Sequence, residues 1–275
     1  MKTVDKILQF ISLSFFGGVA LCVFTLCHSN CARGFKQSDF KLSDWLHDQP
    51  ILPQYKYYPP APRSDVQALI LQLESSPDIK KKIYGYYLQH QDGGEDILAR
   101  IYQYRESVTK TAESVPLDLE LLEGLIAFES AGDEKADSSV HAWGLTQIYD
   151  VPQTCKVRAA HLLGISVEQL DYINNPAHNI MLGAVTLDEY TRQTKSNLLL
   201  GLMAYNAGPD YGKLPAANSY QDAETLVKDD GVRTYPLNVL AYTLMAKVKA
   251  KYGSVLPYDD TNKAAIEAIP LPGID

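Results

Sequence analysis

Apolar residues recur at the helical interval through Leu122, Leu125 and Ile126, the i, i+3, i+4 stripe of a helix that buries one face. The next position on that stripe, i+7, is Glu129, and Gly132 closes the run. A carboxylate therefore stands where an apolar side chain is expected. The same period predicts helices on both sides. Val66, Leu69, Ile70 and Leu73 form a stripe that starts at Ser64, with Gln67 in a capping-box position, and stops before Pro77. A second helix is expected over 79–90, a break at Gly93-Gly94, and a third helix marked by Ile97, Leu98, Ile101, Tyr104 and Val108.

Beyond Gly132 the period lapses, and the chain reads as loop to Gly144. Helices are expected over 159–163, 167–173 and 180–191. The run Leu198, Leu199, Leu200, Leu202, Met203 is apolar almost all round, and such a helix belongs in the centre of a core. It ends at Gly208-Pro209, where glycine is free to turn left-handed and proline forbids continuation. One more long helix is expected over 235–252. The tail from Pro257 onward, with Pro270, Pro272 and Gly273, is expected to be loosely held. No alternating strand pattern and no internal repeat is seen, so the fold class is mainly α.

From Ile7 to Cys27 there is no charged residue, and Lys2 and Lys6 stand in front, the layout of an export signal or of one membrane-spanning helix. Leu52 to Arg63 contains four prolines and reads as an extended spacer. The expected organisation is a signal peptide or membrane anchor at 1–32, a Pro/Tyr-rich linker at 33–63, a helical lead-in at 64–96, the main domain at 97–256 and a tail at 257–275. Cys22, Cys27 and Cys31 lie in or just after the first segment, leaving Cys155 alone in the rest, so no disulfide framework supports the fold.

A net charge of −8 and a pI near 5.3 argue against a nucleic-acid binder, which carries a basic stripe. The six histidines form no His-Glu-x-x-His, the cysteines no Cys-x-x-Cys, and neither a phosphate-cradling glycine loop nor a Gly-x-Ser-x-Gly elbow is present. No metal or other cofactor is expected. Eighteen tyrosines hint at surfaces that meet sugars or partners.

What remains is an ordered set of blocks: Glu129-Ser130, Ser138, Gly144-Leu145-Thr146-Gln147-Ile148, and Ala204-Tyr205-Asn206-Ala207-Gly208-Pro209. In these the chain resembles the soluble lytic transglycosylase family, with its goose-type lysozyme-like helical domain, over roughly 97–252. The resemblance implies that Glu129 is the catalytic acid and that Ser138, Gln147 and Tyr205 are cleft residues touching substrate or acid. Tyr235, which the resemblance also implies to be substrate-binding, and Val239 fit the family's last motif, and Asn179 and Gly183 its Asn-x-x-x-Gly helix. A plain loop or helix-packing role stays open for Ser138, Gln147, Tyr205, Tyr235, Asn179 and Gly183. Thr146 replaces the family's usual methionine and His141 a common glycine, both expected on the cleft rim. Thr186 stands in place of a tyrosine, and Gly231-Val232 in place of a Glu-Thr pair.

The implied reaction cleaves the β-1,4 bond between N-acetylmuramic acid and N-acetylglucosamine, leaving a 1,6-anhydro end. The rival readings are a goose-lysozyme-like hydrolase, with Asp133, Glu134 or Asp137 activating water, and a non-enzymatic cell-wall component of an envelope-spanning machine. The expected partners are glycan strands of peptidoglycan, a membrane through the N-terminal segment, and envelope or secretion machinery. The expected location is the periplasm.

Overall fold

The computed structural model describes residues 64–274, so the expected export segment and proline spacer lie outside the described residues. Among the described residues ten α-helices follow one another: α1 Ser64–Glu74, α2 Ile79–Ile101, α3 Arg105–Ser114, α4 Leu119–Ser130, α5 Gln153–Leu163, α6 Pro176–Gln193, α7 Leu198–Ala207, α8 Tyr220–Leu226, α9 Asp230–Tyr252 and α10 Lys263–Glu267. Short 3-10 turns occupy Tyr102–Tyr104, Val167–Gln169 and Leu214–Ala216. Strand-like pairing among the described residues is confined to two isolated bridges, Asp137 with Trp143 and Trp143 with Ile148.

Helix α4 sits at the centre. Asp118 caps it by accepting from the Leu121 amide at 3.1 Å, and the same carboxylate accepts from Lys247 of α9 at 2.6 Å. Leu122, Leu125 and Ile126 are fully buried; burial of each such side chain contributes roughly 1.5–3 kcal/mol. Helices α4 and α9 cross closely at Gly124, where a Cβ would come within 2.6 Å of the Thr243 amide nitrogen. The other face of α9 lies on α2, α7 packs between α6 and α9, and α5 covers α6. As its composition predicts, α7 is buried throughout Leu199–Ala204.

Several expectations are corrected. Gly93-Gly94 does not break the chain: α2 runs through it, because the pair is buried against α9 and a Cβ on Gly94 would come 2.6 Å from Met245 Sδ. Here glycine serves close helix packing, which overrides its low propensity. The third helix begins only at Arg105, after the 3-10 turn, and 167–173 holds a single 3-10 turn instead of a helix. Gly208 takes a positive φ of 90° but an extended ψ of 148°, a region open essentially to glycine alone and distinct from the left-handed turn. Nor is the tail loose. Tyr258, Ile266, Ile269 and Leu271 are buried, Tyr258 stacks on Tyr84 with centroids 5.6 Å apart, and the Tyr87 hydroxyl donates to Leu256 O at 2.7 Å. Tyr258 finds its partners on α2, Tyr84 and, at 6.2 Å, Tyr87.

Candidate active site

Glu129 lies in the last turn of α4, half-buried. That helix ends in two left-handed residues, Ala131 (φ 52°) and Gly132 (φ 80°), and its end is held from two directions. Ser130 donates from its hydroxyl to Leu145 O at 2.8 Å, tying α4 to the loop ahead. Arg100 Nε donates to Ala131 O at 2.9 Å, and the Tyr104 hydroxyl donates to Glu134 Oε2 at 3.0 Å, tying it to the end of α2. The sequence pattern placed Tyr104 on a helix stripe and gave no sign of Arg100, since both sit about 30 residues upstream with no spacing that points to the loop.

Three side chains from three helices meet electrostatically. The Tyr235 hydroxyl from α9 donates to Glu129 Oε1, and the ring of Tyr235 is held edge-on by Phe128, centroids 5.3 Å apart at 73°. Tyr205 from α7 donates its hydroxyl to Thr146 O at 2.7 Å. Burial pushes the Glu129 carboxyl up to about 7, the hydrogen bond from Tyr235 opposing it. Burial first, then the Glu129 charge, raises both tyrosines well above their ordinary value. Thus both phenols stay protonated as hydrogen-bond donors, and the carboxyl is poised to give and take a proton near neutrality.

Ser138 and Gln147 brace the loop that faces this group. The Ser138 hydroxyl accepts from the Ala142 amide at 2.9 Å. Gln147 donates its side-chain amide to Ala136 O at 3.1 Å and Gly144 O at 2.9 Å, while its own backbone is left-handed at φ 47°. The structure thus joins Glu129 directly to Tyr235, ties Tyr205 to the loop at the Thr146 carbonyl, and gives Ser138 and Gln147 bonds within the loop.

Thr146 is not on the rim. It is fully buried, its amide donating to Asn179 Oδ1 at 2.8 Å and its hydroxyl lying 2.8 Å from that oxygen and 3.0 Å from Asn179 O. Asn179 in turn donates to Trp143 O at 2.8 Å and Tyr172 O at 2.9 Å, so one side chain on α6 fixes the loop. Gly183 is the clearance for this docking: a Cβ there would come 2.8 Å from Thr146 Cγ2 and closer still to its hydroxyl. His141 is exposed, stacked on Trp143 at 5.9 Å. Thr186 is buried and donates back to Leu182 O at 2.8 Å. Val232 is buried and Gly231 exposed, so the pair supplies no carboxylate near Tyr235. Among the described residues no three His, Cys, Asp or Glu side chains cluster as metal ligands would.

Residues 106–226 match the family model of the Transglycosylase SLT domain. Two solved structures are similar to the chain. One is the lytic transglycosylase Slt of Pseudomonas aeruginosa, solved as an inactive mutant, with 19% identity, a TM-score of 0.45, and 70% of this chain aligned to 38% of that one. The other is the 70 kDa soluble lytic transglycosylase SLT70 of Escherichia coli, with 21% identity, a TM-score of 0.44, and 72% of this chain aligned to 31% of that one. The chain therefore spans about a third of the length of these structures.

Proposed function

We propose that this chain, whose residues 106–226 belong to the Transglycosylase SLT domain family, is a peptidoglycan lytic transglycosylase. It cleaves the β-1,4 bond between N-acetylmuramic acid and N-acetylglucosamine and leaves a 1,6-anhydro-muramic acid end. The observation that carries this reading is Glu129, a carboxyl at the end of α4 that accepts from the Tyr235 hydroxyl and is raised to about 7 by burial. An ordinary glycosidase needs a partner carboxyl roughly 5–9.5 Å away, as nucleophile or as base for water, whereas one acid that both gives and takes a proton suffices for the lytic reaction.

With one acid the protons balance as follows. Protonated Glu129 gives its proton to the glycosidic oxygen as the bond to the anomeric carbon breaks, and N-acetylglucosamine leaves as an alcohol. The muramic 6-hydroxyl then closes on the same anomeric carbon and returns its proton to the Glu129 carboxylate. The Tyr235 hydroxyl steadies that carboxylate between the two steps. The attacking group is already part of the substrate, so proximity replaces an activated water.

The hydrolytic alternative would need one of three loop carboxylates as the base for water. Asp133 accepts from the Lys135 amide at 2.9 Å, Glu134 is held by Tyr104, and Asp137 lies 3.4 Å from His141 Nδ1. Digestion of purified peptidoglycan followed by mass analysis of the released muropeptides separates the two: the lyase product is lighter by one water, and a reducing muramic acid end refutes the lyase. A substrate outside the cytoplasm agrees with export through 1–32, and fractionation of cells making the full chain should find it with membranes or in the periplasm. Soluble protein in the cytoplasm with Met1 retained would overturn that placement.

A further inference from the structure

The turn that ends α4 is left-handed at Ala131 and Gly132, and the first of them carries a Cβ. That conformation is costly for any residue but glycine, so it persists only where neighbours hold it. Within the turn the Ala131 amide donates to Ala127 O at 3.1 Å, the Gly132 amide to Ser130 Oγ at 3.2 Å and the Asp133 amide to Ser130 O at 3.0 Å. The Ala131 carbonyl leaves the turn and accepts from Arg100 Nε at 2.9 Å.

Arg100 belongs to the last turn of α2, outside the matched residues 106–226. The turn is seated against it: a Cβ on Gly132 would come 3.1 Å from Arg100 Cβ and 3.2 Å from Ile101 Cγ1. Arg100 is exposed, yet the residue it holds is buried, Ala131 at 7%. A bond from a charged donor is among the stronger hydrogen bonds of a protein, and a cation at a helix C-terminus also meets the negative end of its dipole. Two residues before that carbonyl stands Glu129, whose carboxyl keeps its proton through burial. Fraying of this last turn would admit water to the acid.

We propose that Arg100 is a positioning residue for Glu129: by fixing the Ala131 carbonyl it holds the last turn of α4, and with it the proton donor, in its dry setting. This inference rests on the proposed role of Glu129. Arg100→Met keeps the stem that lies on Gly132 and has no donor, whereas Arg100→Gln puts an amide nitrogen the same number of bonds from Cα as Nε. Both lose the charge, so their difference isolates the hydrogen bond. In the full chain with isotopically labelled glutamate carboxyls, NMR follows Glu129 as the resonance missing from Glu129→Gln. In Arg100→Met its midpoint should fall by about one pH unit from about 7. Near pH 7 the protonated fraction is then about fivefold smaller, so turnover on peptidoglycan falls about fivefold with KM unchanged. Arg100→Gln should titrate and turn over as the parent does.

Parental titration and turnover in Arg100→Met with a lowered thermal midpoint makes the bond purely structural and overturns the proposal, as does an Arg100→Met chain that fails to fold beside a folded Arg100→Gln. Equal effects in the two variants assign the role to the charge and overturn it too. The titration is read without turnover, so the two readings fail separately. A parent that releases no anhydro product removes the lyase alone, and a parent that releases it while Arg100→Met titrates normally removes Arg100 alone.

Discussion

Glu129→Gln keeps the shape of the side chain and removes its titration, which makes the cost of burying this carboxylate measurable. The folded-state value is about 7, against 4.5 for an unperturbed glutamate. Below the unfolded value the group is protonated in folded and unfolded chains alike, and full stability is present. As pH rises from 4.5 toward 7 the unfolded chain releases a proton that the folded chain keeps, so stability falls by about 1.4 kcal/mol per pH unit. Above the folded value the loss levels off at about 3 kcal/mol, and solvent reaching the half-buried carboxyl reduces it toward about 1 kcal/mol. The glutamine variant has no such slope. Its stability relative to the parent should therefore grow by about 1–3 kcal/mol between roughly pH 4 and pH 8, while its turnover drops about 10²- to 10⁴-fold. Urea unfolding followed by circular dichroism at several pH values reads the first quantity. A stability difference that stays flat with pH would mean an ordinary carboxylate, already ionised at neutrality, and the proton-donor role would fail.

Tyr205→Phe removes only the bond to Thr146 O, so stability should fall by about 1 kcal/mol while glycan turnover falls more steeply; a collapse of the thermal midpoint with normal residual turnover would make the tyrosine purely structural. Replacing Asp133, Glu134 and Asp137 singly by Asn or Gln should leave substantial activity in a peptidoglycan turbidity assay, and loss as complete as in Glu129→Gln at any of them would restore the hydrolase. Gly183→Ala should destabilise by roughly 1–3 kcal/mol or more through overpacking against Thr146, and an unchanged urea midpoint would show that the loop is not docked on α6 as described.

The acid was legible because a charged residue on an apolar stripe violates a local rule, and because Ala-Tyr-Asn-Ala-Gly-Pro is a specific block. The helices with long, regular stripes were equally legible. What escaped was set by contacts distant in sequence. Gly93-Gly94 carries a helix-breaking propensity that only the neighbouring Met245 explains away. Thr146 looked like a rim substitution because no local pattern announces that Asn179, 33 residues on, will take its amide and hydroxyl. The tail's apolar residues were too few and too broken by proline to show a period, yet Tyr258 among them meets Tyr84 and Tyr87 of α2.

The left-handed backbone at Ala131, His141 and Gln147 bears on how this wall of the site tolerates mutation. A Cβ in that conformation costs roughly 1–2 kcal/mol, and a branched one more. In a saturation library selected for folded protein, Val, Ile and Thr should be depleted at all three positions, and Gly, Asn and Asp enriched. Selection for glycan cleavage should reverse the enrichment at position 147 alone, where the side-chain amide that holds Ala136 and Gly144 is lost together with the strain.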